Sequence, residues 1–187
     1  MPPGGALDDA GLAQRAAGLE WLLLDVDGVF TDGRLYYTAE GEHLKRFHVR
    51  DGFAVALARR AGLRMALLSG RSSAALRRRA EELGLDAVLL GRDDKLPAFE
   101  SLLAEHHLAA AQVAYVGDDL MDLPVLARAG LSFAPADAAP EVRRRVHRVL
   151  GCAGGTGAVR EMVETVLKAR GDWRRVVAPW LDPVDAG

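Results

Sequence analysis

WLLLDVDGVFTDG, residues 21–33, is the stretch that decides how this chain folds. Its apolar first part, residues 21–24, predicts a buried strand. Asp25 and Asp27 then lie at the carboxyl end of that strand, which is where open parallel sheets bind ligands. Two neighbouring buried carboxylates are costly unless a cation or a proton offsets them. A divalent metal would do so and would leave one carboxylate free to attack. The alternative interpretation of Asp25 and Asp27 is a turn or helix cap after the strand, because Asp-Gly sequences favour turns.

The composition indicates a folded protein without a general affinity for polyanions. The chain has 187 residues, of which 50% are hydrophobic, and this predicts one domain with one sizeable core. A net charge of -2 gives no signal for nucleic acid or for a membrane surface. Cys152 is the only cysteine, which excludes an intrachain disulfide and a thiolate zinc cluster. With no apolar run approaching the ~20 residues of a membrane span and no secretory signal pattern, we expect a cytoplasmic protein.

Strands and helices are predicted to alternate along the rest of the chain. This alternation predicts βαβ units with right-handed crossovers, and hence a Rossmann-like α/β fold, a three-layer α/β/α sandwich around a parallel sheet. The predicted strands are 20–25, 64–70, 86–91, 112–119, 131–135 and a short last strand at 147–150. The predicted helices are 54–63, 73–84, 96–108, 123–130, 140–146 and 157–171.

The domain prediction places one folded unit at residues 19–171. A β-hairpin is expected at about 33–49, with its turn at Glu40-Gly41. Residues 1–18 are rich in Gly, Pro and Ala and predict a flexible tail with about one helical turn. Residues 172–187 form a C-terminal tail whose two tryptophans dock on this subunit or on a neighbour.

Two further strand ends carry residues suited to a phosphate. Ser69, Gly70 and Arg71 end one predicted strand and precede a helix, so a hydroxyl, backbone N–H groups and a helix N-terminus come together. A plain N-cap serine is the alternative, and for this motif alone it is preferred. Lys95 directly precedes the next predicted helix, and an ammonium at a helix start opposes the macrodipole unless it has an anionic partner. A solvated lysine is the alternative.

A cluster of carboxylates follows the apolar strand VAYV. Asp118, Asp119 and Asp122 lie within GDDLMD, and oxygen ligands of this kind suit Mg²⁺. The alternative is an acidic helix N-terminus, but three acids in one turn exceed what a cap requires. Because the carboxyl ends of parallel strands share one edge of a sheet, all four motifs are expected to meet there.

DVDGVFTDG, LLSGR, Lys95 and GDDLMD resemble the four ordered motifs of the haloacid dehalogenase superfamily of phosphohydrolases. VRDGFAVALARRAG, DDKL, VAYVGDDLMDLPV and GGTGAVRE are similar to its phosphatase family for 3-deoxy-D-manno-octulosonate 8-phosphate, over about residues 20–170. The resemblance implies that Asp25 attacks phosphorus to form an aspartyl-phosphate and that Asp27 is the acid and base. It further implies that Ser69 and Lys95 hold the phosphoryl charge.

The same resemblance implies one Mg²⁺ and a set of substrate-binding residues. Its implied metal ligands are Asp25, Asp27 and Asp118, with Asp119 and Asp122 in support. Its implied substrate-binding residues are His48, Val49, Arg50, Asp51, Gly52, Gly70, Arg71, Arg79 and Lys95. Within this set, Arg50 is suited to a substrate carboxylate or phosphate and Asp51 to sugar hydroxyls. The alternative for Asp51 is that it caps the next helix.

The spacing of the motifs leaves no room for an inserted cap domain. The site would then be open to water, so the hairpin or a partner chain must close it. The resemblance implies a homotetramer in which neighbouring subunits do this. The expected function is hydrolysis of an acidic keto-sugar phosphate. The alternatives are a sialic-acid-type nonulosonate 9-phosphate phosphatase, a promiscuous phosphatase and a non-catalytic oligomerisation module.

Overall fold

A six-stranded parallel sheet forms the centre of the computed structural model, which describes residues 6–39 and 41–181. The strands are β1 (Trp21–Leu24), β2 (Tyr36–Thr38), β3 (Gly41–Leu44), β4 (Arg64–Ser69), β5 (Ala87–Leu90), β6 (Val113–Val116), β7 (Leu131–Ala134) and β8 (Arg148–Val149). The helices are α1 (Asp9–Ala17), α2 (Val49–Arg60), α3 (Ala74–Leu83), α4 (Lys95–Glu105), α5 (Leu123–Arg128), α6 (Pro140–Arg143), α7 (Ala158–Ala169) and α8 (Trp173–Leu181).

Strand β1 lies in the middle of the sheet, whose order is β5-β4-β1-β6-β7-β8. Leu24 pairs with Leu67 of β4 on one side and with Val116 of β6 on the other, so these three strands end side by side. This register brings the residues that follow each strand to one edge. The predicted Rossmann-like fold with a parallel sheet is confirmed, and the described residues contain no inserted cap domain.

The side chains of β1 alternate between two cores, one on each face of the sheet. Leu22 and Leu24 pack with apolar residues of α1, α2, α3, α7 and α8. Trp21 and Leu23 pack with apolar residues of α4, α5 and α6. Both faces of the strand are therefore buried, which explains its continuous apolar run and gives the predicted three layers. None of the described helices has the length and apolar character needed to cross a membrane.

Both ends of the chain contribute more structure than the sequence suggested. The prediction of a tail with one helical turn is wrong for α1, which buries Leu12 and Ala16 and is capped by Asp8. Two apolar side chains one turn apart are enough to dock a short helix on the core, even in an Ala-rich segment. At the other end, α8 buries Val176 and Val177 on the same core. The folded unit thus extends beyond residues 19–171.

The predicted hairpin is present as the antiparallel pair β2–β3, although Glu40 of its predicted turn lies outside the described residues. A bridge between Thr31 and Phe47 closes its base next to the Asp25–Asp27 turn. Helix α2 begins at Val49, whereas the sequence predicted residue 54. His48 is therefore an N-cap residue, and the segment from Val49 to Gly52 forms the first helical turn.

Candidate active site

The ends of β1, β4 and β6 and the start of α4 surround one open cleft of about 410 Å³. Every residue that the sequence suggested for catalysis reaches this cleft. Its lining consists of Asp25, Asp27, Gly33, Ser69, Gly70, Arg71, Asp93, Lys95, Asp118, Asp119 and Met121.

Lys95 is buried and bridges two carboxylates. Its ammonium donates to Asp25 Oδ1 at 2.7 Å and to Asp122 Oδ1 at 2.6 Å. Burial alone would lower the pKa of Lys95, but the charges of Asp25 and Asp122 raise it, so the ammonium stays charged. These anionic partners account for a lysine at the N-terminus of α4, where the helix dipole alone disfavours it.

Asp122 holds several neighbouring groups of the site in place. Besides Lys95, it accepts hydrogen bonds from Tyr115 Oη at 2.5 Å and from the backbone N–H groups of Asp118 and Asp119 at 2.9 and 3.1 Å. Both of its oxygens are thus occupied, and its side chain is fully buried. Asp122 therefore orients its neighbours and is poorly placed to serve as a metal ligand. Tyr115 was not among the predicted site residues, although a tyrosine inside a buried strand requires a hydrogen-bond partner.

Asp118 approaches the Asp25–Asp27 turn closely because residue 28 is a glycine. Gly28 has φ +90, and a Cβ there would lie 2.0 Å from Asp118 Oδ2. Carboxylate oxygens of Asp25, Asp118 and Asp122 all lie within 4.8 Å of one another. Burial, followed by the charge of Asp122, raises the pKa of Asp25 well above its usual range and that of Asp118 to about 6. One lysine does not balance this many carboxylates, and oxygen donors of this kind fit Mg²⁺.

Asp27 is held by a lysine that was not among the predicted site residues. Lys45, which follows β3 directly, donates from its ammonium to Asp27 Oδ1 at 2.5 Å. Arg71 Nε lies 3.7 Å from Asp27 Oδ2, and the Arg71 guanidinium also donates to Tyr37 Oη at 2.6 Å. The signal for Lys45 was weak, because a lysine on a hairpin arm is normally solvated.

Ser69 does not serve as the cap of the following helix. Ser73 caps α3 by accepting from Leu76 N at 3.2 Å. Ser69 is buried at the end of β4, and its Oγ accepts from Arg71 N at 3.1 Å. The N-cap alternative is therefore wrong for Ser69, whose hydroxyl faces the cleft together with Gly70.

The predicted substrate-binding residues 48–52 and Arg79 do not line this cleft. The Asp51 carboxylate, which was expected to accept sugar hydroxyls, is buried and accepts from Gly157 N at 3.2 Å and Arg160 N at 2.8 Å, so its role in binding substrate stays a prediction. It caps α7, not its own helix.

The other members of this predicted substrate-binding group also lie outside the lining of the cleft. Arg50 lines a separate cavity of about 390 Å³ beside Cys152. His48 precedes α2, Val49 is exposed, and Gly52 packs against the Arg79 guanidinium, since a Cβ there would meet Arg79 Nη2 at 2.2 Å. Their roles in binding substrate stay predictions.

Comparisons with known proteins agree with this geometry. Residues 39–130 match the haloacid dehalogenase-like hydrolase family. The 3-deoxy-D-manno-octulosonate 8-phosphate phosphatase KdsC of Haemophilus influenzae is 44% identical over 160 residues, which cover 86% of this chain and 89% of that protein.

Two solved structures are similar over nearly their whole length. A probable YrbI family phosphatase from Pseudomonas syringae pv. phaseolica 1448a is 42% identical with a TM-score of 0.90, covering 93% of this chain and 99% of that one. The 3-deoxy-D-manno-octulosonate 8-phosphate phosphatase of Moraxella catarrhalis, solved with magnesium, phosphate and KDO, is 35% identical with a TM-score of 0.87, covering 90% and 97%.

Proposed function

The chain belongs to the haloacid dehalogenase-like hydrolases, and from this premise we propose that it hydrolyses an acidic keto-sugar phosphate, most specifically 3-deoxy-D-manno-octulosonate 8-phosphate. The observation that carries the proposal is the single cleft in which Asp25, Asp27, Ser69, Lys95 and Asp118 meet. The names of the relatives point to the same substrate. A non-catalytic oligomerisation module would have no use for this set of buried charges.

In the first step, a carboxylate oxygen of Asp25 attacks phosphorus and the bond from phosphorus to the sugar oxygen breaks. Asp27 gives its proton to that departing oxygen. In the second step, water attacks phosphorus, Asp27 takes a proton from it, and the bond from phosphorus to Asp25 breaks, which restores the carboxylate. Lys95 and Ser69 offset the negative charge of the phosphoryl group during both steps.

Asp25, Asp118 and the backbone carbonyl of Asp27 would hold a Mg²⁺ ion, with Asp119 in outer support. When bound, the ion offsets the crowded carboxylates and the charge of the phosphoryl oxygens. Lys95 already keeps Asp25 in place through its bond to Asp122, so the nucleophile has one fixed orientation. The pKa of Asp118, raised to about 6 mainly by burial, agrees with a site built to receive a cation.

The mouth of the cleft supports an acidic substrate. The Arg71 side chain lines the cleft, is 43% exposed and offers a guanidinium for a sugar carboxylate. A nonulosonate 9-phosphate would present the same carboxylate and phosphate, so it is the second candidate.

Assembly and location belong to the same proposal. The hairpin exposes Leu35, Tyr36, Tyr37 and Leu44, an apolar surface that neighbouring subunits of a homotetramer would cover. We place the enzyme in the cytoplasm, where sugar phosphates are made.

The decisive experiment is a substrate panel. Eight- and nine-carbon keto-sugar phosphates and a neutral sugar phosphate are assayed with Mg²⁺, Mn²⁺ or Co²⁺, with EDTA as the metal-free control. We expect the highest kcat/KM for the eight-carbon acid and no turnover in EDTA. A preference for the nine-carbon acid would select the second candidate, and equal rates on all esters would indicate a promiscuous phosphatase. Absence of turnover with every metal would contradict the proposal.

A further inference from the structure

Lys45 lies outside the motifs described above, yet its side chain reaches the centre of the cleft. We propose that Lys45 is a positioning residue that fixes the Asp27 carboxylate so that a single oxygen, Oδ2, carries the proton in both steps. This inference rests on the proposed function. It concerns the orientation of the acid and base and adds a residue of the hairpin to the machinery of the reaction.

The two oxygens of Asp27 have different surroundings. Oδ1 accepts from the Lys45 ammonium at 2.5 Å. Oδ2 is buried and has no hydrogen-bond partner, since Arg71 Nε at 3.7 Å is beyond hydrogen-bond distance. An oxygen that accepts from an ammonium is a poor place for a proton, because the proton would face a donor. The proton therefore belongs on Oδ2, the oxygen that is free to give it up.

Burial restricts the Lys45–Asp27 ion pair to one orientation. The Lys45 side chain is 1% exposed, so its ammonium cannot turn to water as a surface lysine would. The Thr31–Phe47 bridge fixes the hairpin base beside the catalytic turn, two residues after Lys45. The hairpin thus presents apolar residues outward and one lysine inward, and the inward lysine holds the acid and base in one orientation.

Both chemical steps use the oriented oxygen. Oδ2 first gives its proton to the sugar oxygen as the phosphorus–oxygen bond breaks, and it then takes a proton from the attacking water. An ester with a good leaving group, such as 4-nitrophenyl phosphate, does not need the first proton but still needs the second transfer. Loss of orientation therefore affects both steps for a sugar phosphate and only the second step for the nitrophenyl ester.

The test compares Lys45→Met with the matched control Arg46→Met. The control removes the adjacent cation, Arg46, whose side chain is 59% exposed and pairs with Asp32. For Lys45→Met we expect kcat on the sugar phosphate to fall roughly 10- to 100-fold with KM within about threefold, since small misplacements of reacting groups cost this much. With 4-nitrophenyl phosphate we expect a burst of one nitrophenolate per site followed by slow turnover. Arg46→Met should resemble wild type, and Lys45→Arg should recover most of the rate.

A merely structural role would lower the burst amplitude along with the rate, because part of the protein would be inactive. That result, or a Lys45→Met kcat within twofold of wild type, overturns the inference. If Lys45→Met lacks the wild-type circular dichroism spectrum, Lys45→Gln, which removes the charge but keeps a polar end, takes the same test with the same expected burst. Wild-type protein that hydrolyses neither ester would overturn the proposed function as well, so the two failures are distinguishable.

Discussion

The cleft at the end of β1 and the junction between α2 and α7 each bury an aspartate, and they do so in opposite ways. Asp25 in the cleft is 5% exposed and Asp51 at the junction is 0% exposed. Burial raises the pKa of both carboxyl groups. A raised pKa is therefore common to a proposed nucleophile and to a residue with no place in the cleft.

The difference lies in what surrounds each carboxylate. Asp51 accepts hydrogen bonds from backbone N–H groups at the start of α7, which partly oppose the effect of burial on its pKa and give its carboxylate partners without any ligand. Around Asp25, the charges of Asp122 and Asp118 raise the pKa further, and Lys95 only partly opposes them. Excess like charge in an open cleft, more than burial itself, distinguishes a site for a cation and an anionic substrate from a structural cap.

Asp25→Asn, in the cleft, is expected to have the largest effect. We expect kcat to fall by roughly 10⁴-fold or more, because the amide cannot attack phosphorus. The free energy of unfolding in EDTA should be unchanged or higher, since one of three crowded carboxylates is removed while a side chain of the same shape stays. Steady-state assays and urea denaturation measure the two quantities. Activity near that of wild type would contradict the assignment of Asp25 as nucleophile.

Asp51→Asn should show the reverse pattern at the junction. The amide NH₂ replaces one acceptor and faces a backbone N–H, so we expect unfolding to become easier by about 1–3 kcal/mol. Because Asp51 does not line the cleft, kcat and KM should stay within about threefold of wild type. Urea denaturation followed by tryptophan fluorescence, together with kinetics, tests this. Unchanged stability with a large rise in KM would instead support a substrate-binding role for Asp51.

Local patterns were enough to predict the fold and the convergence of the proposed catalytic residues in one cleft. The apolar run before Asp25, the strand before Ser69 and VAYV before Asp118 each predicted a buried strand, and a parallel sheet aligns the residues that follow. The four motifs needed only this alignment to meet. Their placement therefore follows from the order of elements, and no side-chain contact had to be known in advance.

Residues that act through distant contacts could not be predicted in this way. Asp51 contacts α7 across 106 positions, and Lys45 reaches Asp27 across 18 positions from an irregular hairpin arm. In the sequence, Asp51 is part of a polar VRDG segment and Lys45 is one of many cations. Helix α1 was underestimated for a similar reason, because its docking depends on α7, a late element of the chain.

A third aspartate, Asp172, lies at the surface, and its substitution is expected to have the smallest effect of the three. It joins α7 to α8 by accepting from Arg175 Nη2 at 2.8 Å and from Arg170 Nε at 2.9 Å. The hydrogen bond from Arg175 is the main cause that lowers the pKa of Asp172 below 3.8, and the hydrogen bond from Arg170 adds to it. Burial acts in the opposite direction but is outweighed. Cations at the surface thus have the opposite effect to the crowding around Asp25.

An acid whose pKa is lowered by folding stabilises the protein above its unfolded pKa and loses that contribution as the pH falls through its folded pKa. Asp172→Asn should therefore cost at most about 1 kcal/mol of unfolding free energy at pH 7, because the pair is partly solvated. The difference from wild type should be the same at pH 5 and should shrink below about pH 3.8, as the Asp172 carboxylate becomes protonated. Urea denaturation of both proteins at pH 7, 5 and 3.5 measures it. A difference that grew on acidification would contradict a charge-stabilised joint and would leave the arginines without a stabilising role there.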